Sequence, residues 1–313
     1  MEFSLTTLGI SAVGPTPERW PSGHWLRTPA GGALIDCGEG MQIALQRNGI
    51  GWSSIDRIFI THLHGDHIYG LPGLLTSWAL NQRDQPLTIF SPPGLEAMLT
   101  AIWQHSFVVL SFPIHFVEID PAVPATVWRS DLLEVTALPL DHRVPAVGYL
   151  FREPPRPRTM RGDAIETFGI PFQQIPAIKA GAYFATADGR LILNRELTTE
   201  PPPSRALAYC SDTRFVPALA PLLQGVDLLV HEATFLHEMA EHAQVSGHST
   251  ARQAAELAKL AGAGRLVLTH FSPRYGDLKP LLAEARAIFS ATDLAAEGRI
   301  FDLPYGHRSS IVQ

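Results

Sequence analysis

The chain lacks several things that would assign it to a class at once. No run of eighteen apolar residues occurs, and the first ten residues show no cationic stretch ahead of an apolar one, so membrane spanning and secretion are not expected and a cytoplasmic protein is. Two cysteines in 313 residues, Cys37 and Cys210, cannot build a disulfide framework, and neither belongs to a Cys-x-x-Cys pair. They are expected to be small buried residues on strands. Charge is sparse at 17%, and the net value of −6 gives nucleic acid no global attraction, so any such contact must be local. Internal repeats and low-complexity tracts are absent as well. What remains, with 46% hydrophobic residues, is a compact chain long enough to bury a large core.

One stretch differs from its surroundings. Residues 152–205 open on Arg152-Glu-Pro-Pro-Arg-Pro-Arg-Thr-Met-Arg161 and close on Glu200-Pro-Pro-Pro-Ser-Arg205. Proline fixes φ and removes a donor, so these runs read as stiff connectors bracketing an inserted, flexible arm. The arm holds eight Arg or Lys against six Asp or Glu, a local positive excess in an acidic chain. Outside it, β-branched runs alternate with helical patterns, which predicts a layered α/β architecture. The clearest strands are 57–61, 133–140, 206–210, 227–230 and 266–269, and the clearest helix is 251–261, with Thr250 and Gln253 as its N-cap pattern and Gly262 and Gly264 as its stop.

The decisive segment is Ile58-Phe-Ile-Thr-His62-Leu-His64-Gly-Asp66-His67, an apolar strand running into four potential ligands in six positions. Residues two apart on extended backbone face the same way, so His62 and His64 project together, and Gly65 lets the chain turn to bring Asp66 and His67 alongside. Neutral imidazoles and carboxylates suit Zn²⁺, and Mn²⁺ or Fe²⁺ tolerate the same mixture. Four ligands cannot saturate two ions, so further ligands are expected at other strand ends. His142, Asp212 and His270 are each the first strong ligand type after an apolar run.

These residues in this order resemble the metallo-β-lactamase superfamily, and the details resemble the ribonuclease Z family within it. The likeness covers nearly the whole chain: Leu8-Gly9 with Pro15 to Arg19, Ile35-Asp-Cys-Gly-Glu-Gly40 with Gln42, Pro139-Leu-Asp-His-Arg-Val144, Ser211-Asp-Thr-Arg214, His231-Glu-Ala-Thr234, Gly247-His-Ser-Thr250 and Arg274-Tyr275. The resemblance implies a four-layer αββα sandwich, with 1–313 a single metallo-β-lactamase domain and 152–205 an exosite-like arm that clasps the tRNA elbow. It implies a homodimeric endonuclease that removes 3′ trailers from precursor tRNA with two Zn²⁺ per chain. His62, His64, His142 and Asp212 then bind one ion, and Asp66, His67, His270 and the same Asp212 the other. Asp66 is also the general base, His248 assists the leaving group or the phosphate, and Glu232 orients His248. The arm departs from the family where Gln173-Gln174 replaces a Gly-Pro pair ahead of Lys179 and Gly181, and the 8–16 segment also differs. Both changes leave open a hydrolase of the same fold acting on small phosphodiesters or other esters.

Other features are expected to carry no chemistry. His237-Glu-Met-Ala-Glu-His242 has its histidines five apart, off a common helical face, and reads as a surface helix. Asp36, Gly38 and Gly40 shape a turn and support the ligands. His24, His105, His115 and His307 lack ligand-spaced neighbours, and Arg274 reads equally as a phosphate contact or a surface ion pair.

Overall fold

A computed structural model describes residues 2–305, so His307 lies outside the described residues. The chain divides into two compact units, Met1–Arg152 with Arg205–Gln313, and Glu153–Ser204.

The larger unit contains two seven-stranded mixed sheets. The first runs, edge to edge, Arg299–Asp302, Ser4–Gly9, Gly23–Thr28, Gly31–Ile35, Arg57–Phe59, Leu87–Ser91 and Ile114–Glu118. The second runs Thr292–Leu294, Leu266–Thr269, Leu228–Glu232, Ala206–Cys210, Val147–Arg152, Glu134–Pro139 and Ala125–Arg129. Alternation along the first sheet sorts side chains to two cores. Ala33, Ile35, Phe59 and Phe90 join a core shared with Val135, Tyr149, Phe151 and Leu268 of the second sheet, while Leu34, Ile58 and Ile89 join a core with the helices Met41–Arg47, Leu71–Leu80 and Leu95–Ser106. Strands apolar on both faces are what a sheet covered on both sides requires. On the far side, the shared core includes Ala251, Ala255 and Leu257 of the helix Ala251–Leu260 and Leu281 of Lys279–Arg286. The layers are therefore helix, sheet, sheet, helix.

Several elements end where backbone partners change. The strand from Arg57 stops at Phe59 rather than at Thr61 because the Thr61 N–H donates to Asp36 Oδ1 at 2.8 Å and its carbonyl accepts from Val147 N at 2.9 Å. The expected strand 227–230 is Leu228–Glu232, continued because His231 pairs with Cys210 on one side and Leu268 on the other. The helix at 251 carries a complete capping box, with Gln253 N donating to Thr250 Oγ1 at 3.2 Å and Thr250 N to Gln253 Oε1 at 3.0 Å. Cys37 and Cys210 are buried, and burial pushes the Cys210 thiol up to about 12, so both are inert packing residues.

The smaller unit has its own core of Ala164, Ile170, Ile178, Phe184, Ile192 and Leu197, beneath two short helices, Gly162–Phe168 and Ile175–Lys179. Arg152 pairs with Ala206 in the second sheet, so residues 153–204 depart from and return to adjacent strand ends. They stand where a hairpin turn would otherwise be.

Candidate metal centre

The seven ligand-type side chains expected from the sequence converge at the carboxyl ends of strands from both sheets. His64 Nδ1 lies 3.0 Å from His62 Nε2 and 3.3 Å from His142 Nε2, and Asp212 Oδ2 lies 3.7 Å and 3.9 Å from those two imidazole nitrogens. The other oxygen, Asp212 Oδ1, lies 3.2 Å from Nε2 of both His67 and His270, each of which is 3.6 Å from Asp66 Oδ2. Within each of the sets His62, His64, His142, Asp212 and Asp66, His67, His270, the ligand atoms lie within 4.8 Å of one another. Tetrahedral ligands at 2.0–2.1 Å from Zn²⁺ are about 3.3 Å apart, so the spacing suits a cation in each set, with one oxygen of Asp212 turned to each.

Two further observations support cation binding. The buried Nε2 atoms of His67 and His270 form no hydrogen bond, an arrangement that is costly unless a lone pair is used. Their opposite nitrogens are occupied: His67 Nδ1 meets Asp36 Oδ2 at 2.8 Å and His270 Nδ1 meets Thr234 Oγ1 at 3.1 Å. His142 Nδ1 similarly meets the Gly247 carbonyl at 2.7 Å, which turns its Nε2 inward. Electrostatics agree. Burial raises the Asp66 carboxyl, but the neighbouring imidazoles of His270 and His67 outweigh it and hold it well below the carboxylate range. Burial lowers His67, but Asp212 and Asp36 prevail and hold it well above the ordinary imidazole value, whereas burial and the nearby histidines press His62 well below. The pocket keeps its carboxylates ionised and attracts positive charge.

Asp36, Asp212 and His270 adopt left-handed backbone, with φ of 57°, 55° and 57°. Such conformations are uncommon for residues with a Cβ and gather at functional sites. Here they turn side chains at three strand ends into one place.

Beside the cluster, His248 Nδ1 sits 3.0 Å from Glu232 Oε1. Glu232 is buried and also accepts from Thr213 N at 2.7 Å and Thr234 Oγ1 at 2.6 Å, so it is rigidly held. Burial would lower His248, but Glu232 outweighs it and lifts the imidazole to about 9.

Some contacts are not evident from sequence spacing. Thr61 touches both Asp36 and His62, and Thr234 links Glu232 to His270. The N–H of Val13 donates to Asp66 Oδ2 at 2.8 Å, which brings the 11–15 loop to the cluster. Gly65 does not serve by adopting positive φ. It opens the short helix Gly65–Ile68, and a Cβ there would fall 2.2 Å from the ring of Tyr69.

The residues set aside fall elsewhere. His237 lies in a 3-10 turn and only Ala240–Ser246 is α-helical, so the expected single helix is two pieces. His242 packs edge-on against Phe235, with centroids 5.0 Å apart. His24 is buried against Tyr209, and desolvation lowers it to about 3. His105 and His115 are exposed. Arg274 forms no ion pair among the described residues: its guanidinium reaches the Met239 sulfur at 2.7 Å and lies over Phe235.

Comparison with known proteins is consistent along nearly the whole chain. A family model described as "Anti-Pycsar protein Apyc1" matches residues 4–109, and a "Beta-lactamase superfamily domain" model matches residues 162–271. The ribonuclease Z of Porphyromonas gingivalis is 41% identical over 301 residues, covering 96% of this chain and 99% of that protein. The crystal structure of human tRNase Z, short form, superposes with a TM-score of 0.70 at 28% identity, covering 96% of this chain and 99% of that one. A Bacillus subtilis protein described as having the metallo-β-lactamase fold superposes with a TM-score of 0.67 at 18% identity, over 97% of this chain and 100% of that one. The architecture is the metallo-β-lactamase fold.

Proposed function

The chain belongs to the ribonuclease Z family, and on that premise we propose that it removes 3′ trailers from precursor tRNA in the cytoplasm as a two-zinc endoribonuclease. The observation that carries the reading is the division of Asp212 between two ligand sets, one oxygen toward each. His62, His64 and His142 would hold one ion and Asp66, His67 and His270 the other, with Asp212 common to both. Two such ions supply an acidified water and neutralise charge on a transferring phosphoryl group. The residues do the remainder. Asp66, kept ionised, accepts a proton from the attacking water. His248, protonated and oriented by Glu232, donates one to the departing 3′ oxygen. Neither a serine nor a cysteine nucleophile is needed.

The test is direct: precursor tRNA and a chromogenic small phosphodiester are offered at matched metal loading. Trimming of the precursor to a 3′-hydroxyl end supports the reading. Hydrolysis of the small diester with the tRNA untouched sinks it in favour of a small-ester hydrolase. Metal analysis should return about two zinc ions per chain.

The arm would be the tRNA-binding exosite, supported by its basic excess and its independent core. Because residues 153–204 span two paired strand ends, an Asn-Gly turn can replace them. That variant is expected to keep small-diester turnover and to bind tRNA more weakly, with the slope of log K against log salt flattened by about 0.9 for each duplex phosphate that the arm no longer neutralises. Equal tRNA affinity in both proteins would exclude the arm as exosite.

A homodimer would use the face around Leu80, Phe107 and Val109, which are 79%, 92% and 88% exposed. Residues 97–117 contain no Asp, Glu, Lys or Arg. A twofold contact places like residues near like, so a charge-free apolar face suits a second copy of the same chain. The double substitution Phe107→Asp, Val109→Asp should therefore give a monomer by light scattering; an unchanged mass would place the contact elsewhere. Among the described residues no helix is long and apolar enough to cross a membrane.

A further inference from the structure

The cleft over the ligand cluster, about 480 Å³, has two unlike walls. Above the ligand residues, loops of the second sheet contribute Arg143 and His248, whereas loops of the first contribute Val13, Pro15, Pro21, Glu39 and Tyr69. Polar chemistry thus faces a wall that is apolar apart from Glu39.

Tyr69 is the conspicuous member of that wall. It follows directly on the ligand loop and its side chain is largely open, with the residue 67% exposed. The ring lies against Gly65, so closely that a Cβ there would meet it at 2.2, 2.6 and 2.7 Å from three ring carbons. Its hydroxyl makes no hydrogen bond among the described residues, so nothing in the fold uses its polar end. Val13 is 80% exposed and is held at φ 74° by the bond from its N–H to Asp66, which adds a second apolar surface at the same mouth. A largely exposed aromatic ring seated against backbone at a phosphodiester site has the form of a stacking platform.

We propose that Tyr69 is the platform on which the first base of the 3′ trailer stacks during cleavage. The inference rests on the ribonuclease reading, and polarity follows from it. The departing 3′ oxygen belongs to the nucleotide on the His248 side. The nucleotide joined through the other bridging oxygen therefore extends toward the first-sheet wall, where Tyr69 stands. Such stacking is tolerant of base identity, since every base has a π face, and suits an enzyme whose trailers vary in sequence. Tyr69 acts on binding and alignment of the scissile phosphate and exchanges no proton.

The test is a cycle between enzyme and substrate. Wild type and Tyr69→Ala are assayed on a precursor tRNA carrying either a normal or an abasic nucleotide at the first trailer position, with zinc content measured for both proteins. Tyr69→Ala is expected to lower kcat/KM on the normal substrate roughly 5- to 150-fold. The abasic substitution should lower wild type by a similar factor, and the two together should do no more than either alone. Tyr69→Phe, which keeps the ring, should stay within about threefold of wild type. Losses that multiply, or a Tyr69→Phe variant as impaired as Tyr69→Ala, overturn the platform. Coupling confined to the nucleotide 5′ of the cut overturns its assignment to the trailer. A wild-type protein that leaves the unmodified precursor uncut overturns the ribonuclease reading, and the platform with it.

Discussion

Replacing Asp212 with alanine should reduce turnover on any substrate by on the order of 10⁴-fold or more. Among the described residues no other side chain offers an oxygen to both ligand sets: Oδ2 lies 3.7 Å from His62 Nε2 and Oδ1 lies 3.2 Å from Nε2 of both His67 and His270. Its removal would take one ligand from each proposed ion and the shared negative charge from both. Alanine introduces a second effect, because the backbone at 212 has φ 55° and a left-handed residue with a plain Cβ costs roughly 1–2 kcal/mol. Asp212→Asn isolates the first effect, since asparagine tolerates that conformation and keeps the shape while losing the charge. Both variants should lose zinc, and both should be inactive. Wild-type turnover in either would refute the bridging assignment.

His248→Ala is expected to lower kcat by about 10²- to 10⁴-fold on tRNA, the usual range for a proton donor. The loss should depend on the leaving group. A ribose 3′ oxygen needs a proton to depart and a nitrophenolate does not, so a chromogenic diester should be cleaved by the variant nearly as well as by wild type. Equal losses on both substrates would mean that His248 binds the phosphate rather than protonating the leaving group.

Its partner supplies the pH signature. Glu232, 3.0 Å away, raises His248 to about 9 against the effect of burial, so the protonated, active form persists below that value and is lost as pH rises through it. Cations held in the adjacent cluster would lower this limb. Glu232→Gln removes the raising influence and should move the alkaline limb of kcat further toward neutral pH. A limb that does not move would exclude Glu232 as the group that keeps His248 charged.

The legible part of this site shares one property: each residue lies in the loop that follows an apolar strand in sequence. His62, His64, Asp66 and His67 fall within six positions, and His142, Asp212 and His270 are each the first strong ligand type after an apolar run, so strand pattern and residue type together mark them as candidates. What sequence does not disclose are relations made across the fold. His67 is oriented by Asp36 from thirty-one positions away, and Thr234 serves Glu232 and His270 together. The strand carrying Glu232 outruns its expected end because parallel neighbours on both sides keep pairing with it, and lateral neighbours leave no period in the strand's own sequence. Gly65 illustrates a different limit. A glycine after His64 suggests an unusual turn, yet its backbone is helical and the demand is for room beside the Tyr69 ring.

The left-handed joints at Asp36, Asp212 and His270 carry a consequence for the protein's life between substrates. Those joints, together with the inward lone pairs of His67 and His270, are tolerable to the extent that something positive occupies the space between them. Whatever binds the folded chain and not the unfolded one shifts its melting in proportion to supply. Were the proposed ions withheld, the enzyme would become both silent and soft, so a cell short of the metal would have less of this protein as well as less of its activity.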